Sequence, residues 1–346
     1  MHRTLGWIRG GRPVVHSLFH ELVHMSSEEE KRAQSGRLKA FRLREVDRTV
    51  QVLVTGGAGF VGSNVVDALV ARDDDVLVLD DLSTGDAANL EPSGVELVVA
   101  DIGDREATIN ALRGRRFEAV VHLASKTKVV QSLEQPDLYR RVIVGGTANV
   151  LEAAALAGTA RFVNFSSGGV IYGETLGACA HELMPIAPVS PYGACKALAE
   201  TEVERLGMSA LTLRPANIYG PRQRTDLEGG VVAIFQRGWR SGSSLNVRGD
   251  GSMQRDYVYV GDVADAVIAS LGSDRTGVYN IGTGVATSVL ELIEAMATIL
   301  GPAEVTHVPE IPGELRRNCL DVSKAARDAL WRPRTSLAEG LRLTLS

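Results

Sequence analysis

Tyr192 and Lys196 stand four residues apart in the run Ser190-Pro191-Tyr192-Gly193-Ala194-Cys195-Lys196. At a helix start that spacing puts both side chains on one face. A phenol that titrates near pH 10 is a poor base at neutral pH. A neighbouring ammonium favours its phenolate, so the pair is equipped to take and return a proton. Tyrosine and lysine also pair on ordinary helix surfaces, and the company they keep decides between the two readings. About 25 residues upstream lies FSSGGVIYGE, residues 165 to 174. It reads as a buried strand ending in a glycine-softened turn, with the hydroxyls of Ser166 and Ser167 at its tip.

The second constellation is Thr55-Gly56-Gly57-Ala58-Gly59-Phe60-Val61-Gly62, which follows a β-branched run and opens an amphipathic stretch. Gly57, Gly59 and Gly62 satisfy GxGxxG; Gly56, Gly59 and Gly62 satisfy a GxxGxxG variant. Such glycines make a tight turn, admit a pyrophosphate close to the backbone and pack helix on strand. The helix N-terminus then offers amides and a positive dipole end to the phosphates. Asp80 closes the next strand, 18 positions after Gly62. A carboxylate there binds ribose hydroxyls and repels a 2′-phosphate, so the pattern predicts NAD rather than NADP. Asp81 competes for the same role, and Asp101 with Ile102 follows the third strand, placed to touch adenine.

A third run, His20-Glu21-Leu22-Val23-His24, matches HExxH. On a helix the histidines would share a face and could hold zinc. No convincing third ligand follows and no core pattern surrounds it, so a chance match is the reading and no metal site is expected.

These residues need a frame. Residues 50–54, 75–79, 95–100, 119–123, 161–166 and 210–214 read as strands, and 63–72, 105–112, 138–157 and 192–206 as helices. That alternation predicts an α/β fold, a doubly wound parallel Rossmann sheet. After Pro215 it loosens into Gly-, Pro- and Arg-rich loops, which suits a smaller, discontinuous substrate-binding region over the C-terminal edge of the sheet. The expected division is a poorly structured extension over 1–49, a dinucleotide-binding domain with Tyr192 and Lys196 over 50–215, and a mainly substrate-binding region over 216–346 that returns segments to the first domain. The extension is highly charged and has no clean apolar stretch or cleavage site of a secretory signal. An Arg-rich transit peptide, or an over-read upstream of Met25, are the alternatives.

Composition excludes other classes. With 45% hydrophobic and 23% charged residues and a net charge of −5, the chain lacks the basic excess of a nucleic-acid binder. No apolar run approaches a membrane span. Cys179, Cys195 and Cys319 are odd in number, widely spaced and without a CxxC or Cys/His pattern. Reduced thiols and a cytoplasmic setting are therefore expected.

Taken together, the chain resembles the extended short-chain dehydrogenase/reductases of the nucleotide-sugar epimerase/dehydratase family, most of all its UDP-glucose 4-epimerase branch. The matching runs are TGGAGFVGSN, DDLSTG, HLAS, FSSGGVIYG, SPYGACK, LRPANIYGPRQ, GDGSMQRDYVYV, NIGTG, LDVSKA and LWRP. The resemblance implies bound NAD, with Gly56, Gly59, Phe60, Val61, Gly62, Asp80, Asp81, Asp101, Ile102, Leu123, Ala124, Ser125, Tyr192 and Lys196 around it. It makes Tyr192 the acid/base, and Lys196 the residue that holds the nicotinamide ribose and lowers the tyrosine's pKa. Asn217, Val231, Arg255, Tyr257 and Arg316, with Ser167 and Gly168, would face the sugar nucleotide. The implied reaction oxidises the sugar at C4, turns the 4-keto intermediate and reduces its other face. A homodimer through the helices over 138–157 and 192–206 is implied as well.

Two departures qualify this. The hydroxyl that bridges tyrosine and sugar in the epimerases sits four residues before the tyrosine of VYG, where this chain has Gly168 before Tyr172. The family's dehydratases carry Asp-Glu at the next two positions, where this chain has Gly169 and Val170, which argues against 4,6-dehydration. Ser167, and after it Ser166, is the stand-in for the bridging hydroxyl. Near the C-terminus, Ile311 replaces an arginine aimed at the diphosphate, leaving Arg255 with Arg316 or Arg222 as helpers. The other readings are a 4-ketoreductase, uronic-acid decarboxylase or other short-chain dehydrogenase reaction on a sugar nucleotide, and a non-catalytic NAD-binding regulator.

Overall fold

The computed structural model describes residues 51–175, 177–225, 230–310 and 314–346; the HExxH run and Ile311 lie outside them. The first half winds β1 (Gln51–Thr55), α1 (Phe60–Val70), β2 (Asp75–Asp80), β3 (Glu96–Val99), α2 (Arg105–Leu112), β4 (Ala119–His122), α3 (Gly146–Ala157), β5 (Arg161–Phe165), α4 (Pro191–Arg205) and β6 (Ala210–Pro215). All of β4 and β5 and four of the five residues of β1 are buried. That is the pattern of strands covered on both faces, which read as continuous apolar runs because neither face alternates toward water.

Beyond β6 come β7 (Asn217–Tyr219), α5 (Val231–Ser241), β8 (Leu245–Arg248), β9 (Gln254–Tyr259), α6 (Val260–Leu271), β10 (Gly277–Ile281), β11 (Ala286–Ser288), α7 (Val289–Leu300), β12 (Val305–Val308), β13 (Arg317–Asn318) and α8 (Leu337–Leu345). The main sheet has seven strands in the order β10-β6-β5-β4-β1-β2-β3, every pair parallel. Its first strand, β10, arrives from the loosely patterned second half. A smaller sheet joins β7, β11 and β13 to β9, and β8 pairs with β12. Among the described residues no helix is long and apolar enough to cross a membrane.

Two expectations need correcting. The helix expected over 138–157 is not regular: Pro136–Tyr139 and α3 flank a π-helical segment, Arg140–Gly145. A Cβ on Gly146 would lie 2.7 Å from Ile102 Cδ1, so the helix passes very close to the loop that follows β3 here. The cysteines are not all reduced. Cys179 and Cys319 form a disulfide with Cα atoms 4.6 Å apart, closing a separation of 140 residues. The fold lays the two segments side by side through a parallel bridge between Ala180 and Leu320. Ala180 N donates to Cys319 O and Asp321 N to Ala180 O, each at 2.8 Å. Cys195 is free and buried on α4.

Candidate active site

At the C-terminal end of β1 the glycine turn is built without spare volume. Gly56 has φ +73°, and a Cβ there would meet Ala124 N at 2.7 Å, directly over the β4 loop. A Cβ on Gly62 would sit 2.0 Å from Gly56 O. Helix α1 starts from Gly59 with no side-chain cap, so its first amides remain for a ligand. Phe60 and Val61 form its first turn. Leu123 N donates to Thr55 O at 3.0 Å, Ala124 N to Thr55 Oγ1 at 3.3 Å, and Ser125 Oγ to Lys126 O at 3.0 Å.

Asp80 and Asp81, rivals in the sequence, separate in space. Asp80 is buried at the end of β2, accepting from Ala58 N at 3.0 Å and Leu82 N at 2.9 Å. Burial raises its pKa, and those two amides restrain the rise. Asp81 accepts from Ser83 N and Oγ and from Lys126 Nζ at 3.3 Å. Partial burial opposes ionisation there, but Ser83 and the Lys126 ammonium outweigh it and its pKa is lowered. Asp80 thus lies beside the glycine turn and Asp81 is committed elsewhere. Asp101 accepts from Gly103 N and pairs with Arg141 at 2.8 Å; the Ile102 side chain is buried in the core.

Helix α4 brings up the reacting pair. Ser190 caps it by accepting from Gly193 N at 3.2 Å, and a Cβ on Gly193 would strike Val170 O at 2.8 Å, so the helix lies hard against the β5 loop. Tyr192 and Lys196 are buried there. Lys196 Nζ donates to Phe165 O at 2.9 Å, at the last residue of β5. Burial pushes Lys196 down to about 8 against the pull of Glu200. Burial pushes Tyr192 up to about 12; a hydrogen bond with Ser167 lowers it and Tyr139 raises it further. Lysine is not among the influences on the tyrosine in the chain alone, where burial is the largest and raises it.

At the strand end, Ser167 is the residue whose hydroxyl lowers the pKa of Tyr192. Gly168 is filled from outside: a Cβ there would lie 2.5 Å from Leu320 Cδ1 and 3.1 Å from Arg214 O. Gly169 is roomy, its nearest neighbours being Asn217 Oδ1 at 3.5 Å and Ser167 Oγ at 3.8 Å from a built Cβ. Ser166 Oγ and Asn318 Oδ1 are buried with no hydrogen-bond partner among the described residues. β7 lays Asn217 opposite Tyr257 of β9, and Tyr257 is buried. Arg255 is mostly buried; it donates to Gln254 O at 2.9 Å and lies 3.9 Å from Glu314. Arg316 is exposed and sits 3.6 Å from Glu310, and Val231 opens α5. Arg222, one candidate helper for a diphosphate, is instead engaged with Asp67.

Sequence reasoning missed two groups. His122 ends β4, fully buried between Thr55 Oγ1 (2.7 Å from Nδ1) and Thr147 Oγ1 (3.0 Å from Nε2). Thr147 spends its own proton on Ile143 O, so Nε2 donates to Thr147 and Nδ1 accepts from Thr55. Burial, with the Lys196 charge, pushes His122 down to about 3. The signal was the histidine at the end of an otherwise apolar strand. The other is a buried fork: Arg214 donates to both carboxylate oxygens of Glu200 and to Tyr172 Oη, which donates to Asn280 Oδ1. Glu200 lies one helix turn past Lys196.

A family model described as NAD dependent epimerase/dehydratase family matches residues 52–282. A UDP-glucose 4-epimerase of Mycolicibacterium smegmatis is 41% identical over 306 residues, covering 86% of this chain and 97% of that protein. Among solved structures, a Thermus thermophilus UDP-glucose 4-epimerase in complex with NAD is 41% identical with a TM-score of 0.81, covering 85% of this chain and 97% of that one. A Thermotoga maritima UDP-glucose 4-epimerase with UDP-glucose is 38% identical with a TM-score of 0.82, over the same shares.

Proposed function

Because the chain belongs to the NAD dependent epimerase/dehydratase family, we propose that it inverts C4 of a nucleotide-diphosphate hexose of the UDP-glucose/UDP-galactose type, with NAD as cofactor. The observation that supports this is the buried pair Tyr192 and Lys196, one turn apart on α4, with Lys196 Nζ donating to Phe165 O at the end of β5. No carboxyl stands at positions 169 and 170 to expel a hydroxyl from the sugar. The tight cradle around Gly56 and Gly62, the uncapped start of α1 and the buried Asp80 suit NAD. When bound, NAD supplies a reversible hydride acceptor for C4.

The chain's own residues do the rest. Tyr192 receives the proton of the 4-hydroxyl and returns it to the inverted product, with Ser167 bridging the phenol and the sugar oxygen. Lys196, fixed on Phe165 O, presents its ammonium to the nicotinamide ribose. Asn217, Tyr257, Val231 and Arg255 line the sugar-nucleotide side, where a guanidinium suits a diphosphate by its forked donors. Arg316, exposed, stands as a helper at the rim. The small side of Gly169 leaves space for a 4-keto sugar to turn. The neighbouring solved structures support a nucleotide sugar as substrate. A homodimer through α3 and α4 fits the exposed Leu156 and Leu198 on those helices.

The test is direct. Purified protein given UDP-galactose forms UDP-glucose, with no net consumption of NAD. Absence of conversion across UDP- and dTDP-hexoses overturns the reading.

A further inference from the structure

The loop after β7 turns back to the first βα unit and holds it chiefly through the side chain of Arg222. This residue has φ +69°, a conformation that costs a non-glycine residue of order 1 kcal/mol and persists where its contacts over-determine it. Its guanidinium makes those contacts on two separate elements. Nη2 donates to the Asp67 carboxylate and to Asn64 Oδ1 on α1, and Nη1 donates to Asn89 O at 3.3 Å. Asn64 Nδ2 answers by donating to Pro221 O at 3.3 Å, and Arg224 Nη1 donates to Thr84 O at 3.0 Å. The segment from Thr84 to Asn89 is thus gripped from above by the β7 loop. From below, Asp86 N and Asn89 Nδ2 both donate to Ala58 O of the glycine turn. That same segment covers Asp80: a Cβ on Gly85 would lie 2.9 Å from Asp80 Oδ1.

Resting on the assignment of NAD above, we propose that Arg222 is a positioning residue that seals the adenosine end of the cofactor cradle. A cofactor whose ribose is held at Asp80 leaves when the segment over Asp80 swings out, and that segment is pinned through Arg222 and Arg224. One partly exposed ion pair alone is a weak latch. Here the planar fork joins three acceptors on α1 and on the Thr84–Asn89 segment, which a lysine ammonium cannot reproduce.

The experiment measures NAD rather than turnover alone. NAD content of freshly purified protein is read after denaturation, and its release is followed during filtration against excess competing nucleotide. Arg222→Ala and Arg222→Gly are expected to release NAD roughly tenfold faster or more, the size of lost charge-assisted hydrogen bonds. Glycine suits φ +69° and so removes the guanidinium without disturbing the backbone. Arg222→Lys falls nearer to alanine than to wild type, and Asp67→Asn reproduces the effect from the other side. Saturating free NAD restores turnover in each variant. Retention of NAD by Arg222→Gly at the wild-type rate overturns the proposal. Wild-type protein that binds no NAD at all overturns both the seal and the cofactor assignment beneath it.

Discussion

Replacing Ser167 by alanine tests the strand end most sharply. The Ser167 hydroxyl is what draws the phenol back from the rise that burial imposes. A hydrogen bond to a charge-bearing group is worth about 1.5–3 kcal/mol, which is about tenfold to about a hundredfold in rate. The turnover number of Ser167→Ala should fall by that factor. The pH profile should move too. Losing a bond that lowers Tyr192 raises its pKa, so the acidic limb of kcat/KM, where the phenol must give up its proton, shifts to higher pH and the deficit shrinks in alkaline buffer. The assay is UDP-galactose conversion across pH, with bound NAD measured in parallel. Wild-type turnover with an unmoved profile would refute the bridging role.

The complementary change asks whether the hydroxyl can be moved back to position 168. A Cβ there meets Leu320 Cδ1 at 2.5 Å, Leu320 Cδ2 at 2.8 Å and Arg214 O at 3.1 Å. Leu320 is fully buried, and its amide is tied to Asp256. Overpacking of this kind costs about 1–3 kcal/mol. Gly168→Ser should therefore lower stability and fail to rescue Ser167→Ala. Rescue in the double variant would show that the strand end relaxes more readily than this packing allows.

Three further outcomes follow from the same geometry. Reducing the Cys179–Cys319 disulfide, or substituting Cys179 by serine, should lower stability by up to about 5 kcal/mol for a loop of this length, less where the Ala180–Leu320 bridge persists; denaturation with and without reductant measures it, and no difference means the bridge is not formed in solution. Lys196 sits in the fold at about 8, below its ordinary value of 10.5, so the unfolded chain binds the extra proton between those values. NAD-free protein should therefore gain stability from pH 8 to 10, at up to about 1.4 kcal/mol per pH unit, before Tyr192 reverses the trend; Lys196→Met should flatten that slope. Glu200→Gln strands Arg214 in the interior and should cost about 3–5 kcal/mol in urea denaturation, with Glu200→Gln/Arg214→Met recovering part of it.

What could be read from the chain was whatever depends on residues near one another in it. The glycine turn, Asp80 and the Tyr192/Lys196 spacing each express a local requirement: a close approach of backbone, a strand end, one turn of helix. The alternation of strand and helix patterns, equally local, predicted a doubly wound sheet, which the seven parallel strands confirm. What sets Asp81 apart from Asp80 is not local: Lys126, from the loop after β4, pairs with Asp81. The cysteines misled for the same reason: spacing says nothing about the parallel contact that sets Cys179 against Cys319.

Gly168 shows how such long-range pairing changes the chemistry assigned to a position. Read along the chain, it is a lost hydroxyl beside a tyrosine. In the fold, β13 pairs with β9, Asp256 fixes the amide of Leu320, and the leucine side chain fills the volume a serine would need. The apolar contact and the proposed bridging by Ser167 are then two sides of one arrangement. Ser167 reaches Tyr192 from the residue before, and Leu320 closes the floor that the glycine leaves open. Trimming that floor by Leu320→Ala should therefore let Gly168→Ser be tolerated, while Ser167→Ala remains impaired until a serine at 168 is present as well.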